Sequence, residues 1–550
     1  MKKLLIYLGF IICGVALTQG CKKDFLNRPP EDATTSGNFY TNDAEVMAGT
    51  APLYNVVWFD YNDKAFLSFG EAHGGNLNCD DADRLGYIRF AVPATDDILP
   101  SGYGSFWKIV AQSNIIMSNI ENAKSTATPA VKNMGIAECR FMRGMAYYFL
   151  VSNWGAVPII YDNLTQLTDS SIRRNDIPSV WELIVKDFTY ASKNLPATPY
   201  QTGRLTKWAA EGMLAKAYLY RSGVGKTEGS RSQSDLDSAK YYAADVCENS
   251  GLSLLPNYYD LFTHAYNSTA FQNSNPEDLF SLLWMPSRST WGVNNTFQAY
   301  VAFTSNITQT GDGWGAAFGA SANLLKYYMA HPEDSLRRRA TFMLPGDHYD
   351  DLNAKGGGTD VPNSSFGTGN DHAYVKKYVI GSPDDNGGGT QMTAYENTYM
   401  LRLAEVYLIY AEAILGNNAS TADGTALKYF NAVRTRAGVP AKSSITFNDI
   451  FQEKKVEFAF EGLAWYDWVR WYYFAPEKAK AYFSTQDRGH YSVTYNTGTS
   501  NPRTYSTTYD GTTYPITDAT IYLPWPEAEL TAAPHLNDAP VPFDFSKIPD

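Results

Sequence analysis

The sequence predicts a mainly α-helical protein, a stack of helical hairpins carrying large irregular loop insertions and a few short strands. Three observations carry that expectation. Apolar residues recur at helical spacing over long stretches, most plainly at Leu403, Val406, Tyr407, Tyr410, Ala411 and Ile414, one continuous stripe at i, i+3, i+4, i+7, i+8 and i+11. Such amphipathic stretches come in pairs separated by short breaks. Two further stretches, about 257–398 and about 475–520, abandon the pattern for Gly, Asn, Asp, Ser, Thr and Tyr.

In chain order, the first pair runs through Phe141, Met145, Tyr148 and Phe149, stopped by Gly155 and Pro158, and then through 180–195, stopped by Pro196. The second covers 208–220, ended by Gly223, and 236–247, ended by Gly251. The third joins the stripe at 403–414 to 426–434, which ends before Gly438 and Pro440. Small residues such as Ala215, Ala217, Ala411 and Ala413 let paired backbones approach closely. Units of about 30 to 40 residues that cannot bury their apolar faces alone predict a tetratricopeptide-like repeat scaffold. Within 257–398, glycines at 356–358 and 387–389 mark loops, and one helix is expected near 321–330. Within 475–520, Tyr491, Tyr495, Tyr505, Tyr509 and Tyr514 alternate with small polar residues. Insertions on a rigid scaffold are where binding residues concentrate.

The N-terminus has the three parts of a secretory signal: Lys2 and Lys3, an apolar run of roughly 14 residues, and a small residue, Gly20, before Cys21. That run is too short to cross a bilayer as a helix. It resembles a bacterial lipoprotein signal over 1–20, with Cys21 as the acylated residue, although Leu17 stands four residues before the cysteine rather than three and Gln19 is larger than the usual occupant. An ordinary signal with a chance cysteine is the alternative. Acyl chains at ~0.8 kcal/mol per buried methylene would hold Cys21 at a membrane. Residues 21–38, polar with Pro29 and Pro30, are expected to be a tether to a folded body at 39–550.

No long apolar segment follows Cys21, so membrane attachment is expected through the lipid anchor only. Loss of Lys2 and Lys3 with the signal takes the formal net charge from −12 to −14, which argues against nucleic acid or anionic lipid as a ligand. Cys79, Cys139 and Cys247 are odd in number and lack C-x-x-C spacing, so neither a disulfide framework nor a zinc site is expected. Asp80, Asp81 and Asp83 lack the rest of a calcium loop. Lys226 and Thr227 follow a helix rather than a strand, and Tyr220 stands where a phosphate-binding loop needs its first glycine. The seven histidines form no H-E-x-x-H motif, and there is no G-x-S-x-G turn. No catalytic residue, metal or cofactor is expected.

Several motifs add up to a resemblance. They are Arg402-Leu403-Ala404-Glu405 at the head of 402–413, Asn431-Ala432-Val433-Arg434-Thr435-Arg436 before Gly438 and Pro440, Glu457 and Glu461-Gly462, and Asp467-Trp468-Val469-Arg470-Trp471. With 137–148, Trp154-Gly155-Ala156-Val157-Pro158 and the closing Tyr522-Leu523-Pro524-Trp525-Pro526, the chain resembles the SusD/RagB family of Bacteroidetes outer-membrane lipoproteins. Glu453-Lys454-Lys455 departs from the common Glu-Arg, and Leu463-Ala464-Trp465 from Arg-Trp or Arg-Phe. The resemblance implies a surface-exposed, lipid-anchored protein of the cell outer membrane that captures a glycan and passes it to a SusC-like TonB-dependent transporter. It also implies four tetratricopeptide-like units packed on the transporter, ligand-holding loops opposite, and no catalytic step.

Aromatic residues make up 14% of the chain, with 39 Tyr and 12 Trp, and they serve either as core or as sugar-binding surface. The C–H face of a sugar stacks on Trp or Tyr, while its hydroxyls need amides, carboxylates or guanidinium groups. The candidates in the irregular segments are Trp291, Tyr300 and Trp314, with Asn78, Asp81 and Tyr87 in an earlier loop. For each ring, a packed aromatic beneath a loop is the alternative. Trp154, Trp208, Trp465, Trp468 and Trp471 lie on helical stripes and are expected in the core, and Arg434, Arg436 and Arg470 are expected to pair with nearby acids. Two other functions stay open: a secreted helical glycoside hydrolase, since 57 acidic residues contain many carboxylate pairs, and a binder of a non-glycan nutrient.

Overall fold

Short polar side chains start the helices of this chain. Thr128, Asp176, Thr206, Ser232, Asp423 and Thr446 each accept a backbone N–H of the first turn that follows. Gly155 and Gly416 end two helices with φ of 69° and 56°, a region that favours glycine. The computed structural model describes residues 39–548 apart from 167–168, 269–274, 286–290, 303–306, 308–312, 314–317, 364–372, 387–391 and 497–503. The signal, Cys21 and the tether lie outside the described residues, as does Trp314.

The scaffold runs α1 (Leu99–Asn122), α2 (Pro129–Trp154), α3 (Ile177–Asn194), α4 (Lys207–Arg221), α5 (Gln233–Asn249), α6 (Leu403–Leu415), α7 (Gly424–Arg436) and α8 (Phe447–Glu457). Each helix from α1 to α7 packs on the next in sequence, and α8 packs on both α6 and α7, which makes a tetratricopeptide-like stack. Helix α1 precedes the first pair expected from periodicity and packs on α2. Two more helices, α9 (Ala464–Phe474) and α10 (Pro476–Ser484), pack on one another, and α9 also meets α2. Helix α10 falls where irregular chain is expected; Pro476 at its first turn and Ala479 and Phe483 on its buried face explain it.

Between α5 and α6 the chain leaves the stack for about 150 residues, and both ends of this excursion are tied together. The short strands are β1 (Leu77–Cys79), β2 (Asp278–Leu282), β3 (Phe318–Ala320), β4 (Phe342–Met343), β5 (His348–Tyr349), β6 (Thr359–Asp360), β7 (Tyr374–Val375), β8 (Thr398–Arg402), β9 (Tyr491–Tyr495) and β10 (Tyr505–Tyr509). Strand β2 pairs antiparallel with β8, setting Asp278 opposite Arg402 and Leu282 opposite Thr398. The excursion also contributes β3, β7 and β4 to a sheet of order β1-β3-β7-β4, whose first strand comes from the N-terminal segment. One helix, Ala322–Ala330, stands where it is expected.

A buried ionic layer lies where the excursion returns to the stack. Arg402 pairs with Glu277, Glu457 and Glu461; Arg436 pairs with Glu277 and Glu457; Arg337 pairs with Asp334, Glu453 and Glu457. Arg434 meets Glu453, and Arg470 meets Glu412 and Asp467, as expected of these arginines. Burial alone would raise the Glu457 carboxyl, but Arg436, Arg402 and Arg337 hold it below its ordinary value. The motif arginines and glutamates thus join elements rather than face a ligand. Trp154, Trp465, Trp468 and Trp471 are buried, whereas Trp208 is part-exposed with Lys207 over its ring at 4.2 Å.

Candidate functional site

The site is built on the segment that follows Phe59. Its backbone is π-helical at Tyr61–Ala65 and again at Leu67–Ala72, an uncommon winding that recurs at functional positions. Within it, Gly70 lies against the backbone of Gly462 so closely that no side chain fits there. The wide turns direct two buried polar residues at the excursion. Asn62 accepts from the Thr398 hydroxyl (2.6 Å), which in turn accepts from the Trp284 indole (2.9 Å). Asp63 accepts from the Tyr300 hydroxyl (3.4 Å).

Around Asp63 the electrostatics are those of a buried, water-poor environment. Burial raises the Asp63 carboxyl above its ordinary value, with Thr296 among the groups that oppose the shift. Burial, and then Asp63 itself, pushes the Tyr300 hydroxyl up to about 12. The Arg84 guanidinium lies 5.4 Å from the centre of the Tyr300 ring and 4.9 Å from that of Phe318, and it pairs with Asp81. Asp81, Arg84, Tyr300 and Asp63 therefore form one chain of contacts linking the early loop to the excursion.

Trp291 is 57% exposed, although a tryptophan is usually mostly buried. Its ring stands edge-on to Phe59 (5.2 Å, 74°), and Phe59 meets Trp284 (6.3 Å), so a pedestal of rings holds it out to solvent. The neighbouring Asn294 and Asn295 are fully buried and bind the loop to the backbone of Met392 and Glu396. They shape the loop and leave Trp291 as its open ring.

The structure brings Tyr300 and Asp81 together through Arg84, with Asn78 close by on β1. Asn78 is 5% exposed, and its amide engages Gly489 and the Cys79 N–H. Tyr87 is enclosed, with its hydroxyl on Asp96 (2.7 Å), so its ring offers no face for stacking. Phe59, Asp63 and Arg84 escaped the sequence reading, because a lone aromatic or charged residue carries no periodic signal until its neighbours are known. Among the described residues no group of His, Cys, Asp and Glu could hold a metal ion, and burial pushes the Cys79 thiol up to about 12. No described helix is long and apolar enough to cross a membrane.

Comparison with known proteins gives the chain relatives. Residues 276–541 match the SusD family, and residues 73–219 match a family described as "Starch-binding associating with outer membrane". A SusD-like protein of Bacteroides ovatus is 38% identical over 96% of this chain and 97% of its own length. SusD-like protein P2 of Formosa agariphila is 28% identical over 62% of this chain and 68% of its own. A crystal structure with xylogluco-oligosaccharide superposes at a TM-score of 0.81 with 37% identity, covering 91% of this chain and 99% of that one. A laminarin-binding SusD-like protein shares the fold at a TM-score of 0.66 and 23% identity, over 90% of this chain and 98% of that one.

Proposed function

This chain belongs to the SusD family, and from that premise we propose that it is a glycan-binding protein of the outer membrane that captures oligo- or polysaccharide and hands it to a SusC-like TonB-dependent transporter. The reading includes no catalytic step. The observation that carries it is Trp291, an indole held in solvent on a pedestal of rings. In this reading the ring covers a sugar face, and Asp81 and Tyr300 are the candidates to meet the sugar's hydroxyls. Xyloglucan-type and other β-glucan oligosaccharides are the first ligands to try, since a structure similar over 91% of this chain was solved with xylogluco-oligosaccharide. Cys21 supplies the anchor in this reading.

Stacking that buries about 100 Å² of apolar surface at ~25 cal/mol per Å² contributes roughly 2.5 kcal/mol before ordering costs. Trp291→Ala is therefore expected to weaken binding about tenfold or more in calorimetric titration while leaving thermal unfolding unchanged, because the ring is exposed. Unaltered affinity for a glycan that the parent binds would remove Trp291 from the site. Steady release of reducing ends from that glycan by pure protein would overturn the binding reading in favour of hydrolysis.

A further inference from the structure

A cleft opens on the scaffold itself, sharing no residue with the Trp291 site. It lies between the turn after α6, the first turns of α8, and the corner where α9 meets α10, and it holds about 990 Å³. That is the upper end of the ~300–1,000 Å³ found for small-ligand sites. Its floor is aromatic and already assembled. Phe447 lies 5.4 Å from Trp471 and 5.5 Å from Phe474, and Trp471 lies 5.5 Å from Tyr482. Phe447 and Tyr482 are part-exposed, so ring surface remains open above the buried Trp471 and Phe474.

The rim is amide-rich. Asn448 and Gln452 stand four residues apart on α8, hence on one helix face, and Asn448 is exposed. The Gln452 Nε2 is buried and has no hydrogen-bond partner among the described residues, a donor left open at the cleft. Asn417 is held as a wall by bonds to and from the backbone of Arg231 (2.8 and 3.1 Å). The charges nearby are mostly spent. Arg231 pairs with Glu412, and Asp449 pairs with Lys442 while capping α8, which leaves Lys478 on the rim. Helices and turns line the cleft, so it offers no strand edge to an extended peptide.

We propose that this cleft is a second carbohydrate-binding site, taking a neutral oligosaccharide on Phe447 and Tyr482 with its hydroxyls on Asn448 and Gln452. It goes beyond the Trp291 site and does not depend on it. Two sites on one chain would let a long polysaccharide bind with an avidity above that of either site alone.

Protein labelled with 5-fluorotryptophan tests this by ¹⁹F NMR, with the Trp471 and Trp291 resonances assigned from Trp471→Phe and Trp291→Phe. Xylogluco-oligosaccharides, laminari-oligosaccharides and a panel of other neutral oligosaccharides are titrated to millimolar concentration. The expected result is a saturable shift of the Trp471 resonance that persists in Trp291→Ala and weakens about tenfold in Asn448→Ala and Gln452→Ala, with helical content unchanged. A silent Trp471 resonance across the panel overturns the proposal, as does a shift that vanishes in Trp291→Ala or a response to peptides in place of sugars. Loss of the Trp291 response alone would sink the first site and leave the second standing.

Discussion

Lys455 sits on the face of α8 that turns inward, and among the described residues no carboxylate pairs with it. Burial, and then the nearby Arg488, takes its ammonium from the ordinary 10.5 down to about 7. The sign of the consequence follows from linkage. Between pH 7 and 10.5 the folded state holds fewer protons at this position than the unfolded chain, so stability rises with pH across that window and the cost is full below it. Lys455→Met is therefore expected to unfold at a temperature a few degrees higher at pH 6, with the gap to the parent closing as pH rises toward 10.5. Calorimetry at several pH values checks it, and a gap that does not depend on pH would mean that packing rather than charge is responsible. The basic pair Lys454-Lys455 is plain in the sequence, but its two members behave oppositely. Lys454 meets Asp467 (2.6 Å), while among the described residues Arg488 is the charged group that acts on Lys455.

At the scale of elements, buried charges as well as apolar packing join the excursion to the stack. Arg402 ends β8 and starts α6, and its guanidinium is bidentate to Glu461 (2.7 and 2.8 Å) while also reaching Glu277 and Glu457. Removing one partner of a buried ion pair costs about 3–5 kcal/mol, because the other charge is left unpaired. Arg402→Met is expected to lose about that much in urea unfolding. Arg434→Ala should lose clearly less, since Glu453 keeps Arg337 as a partner; equal losses would refute the ionic joint. The capping box of α8, in which Thr446 and Asp449 bond each other's backbone N–H, is a more local feature. Thr446→Ala is expected to cost about 1 kcal/mol in the same measurement. The caps and the apolar stripes were legible because both are written within one turn of helix. The ionic joint was legible only as motif residues expected to pair, since Glu277 and Arg402 are far apart in sequence.

For the whole molecule, the excursion between α5 and α6 is the decisive feature: it interrupts the stack between two helical pairs, closes on itself through β2 and β8, and carries Trp291 and Tyr300 to the segment after Phe59. The proposed anchor belongs to this scale too. Protein made in its own host is expected to carry acyl chains on Cys21 by mass spectrometry, and Cys21→Ala to move from the membrane to the soluble fraction; an unmodified cysteine would refute the anchor. By itself the sequence determined the helical stack and the family, because helix periodicity, caps and short motifs are local properties, while α10 lies in a stretch expected to be irregular. Only the tertiary structure decided that Tyr87 is enclosed while Trp291 stands open, that Asn294 and Asn295 bind loop instead of solvent, and that Arg84 bridges Asp81 and Tyr300. Exposure depends on what distant segments bring to a residue, and no pattern within one segment encodes that.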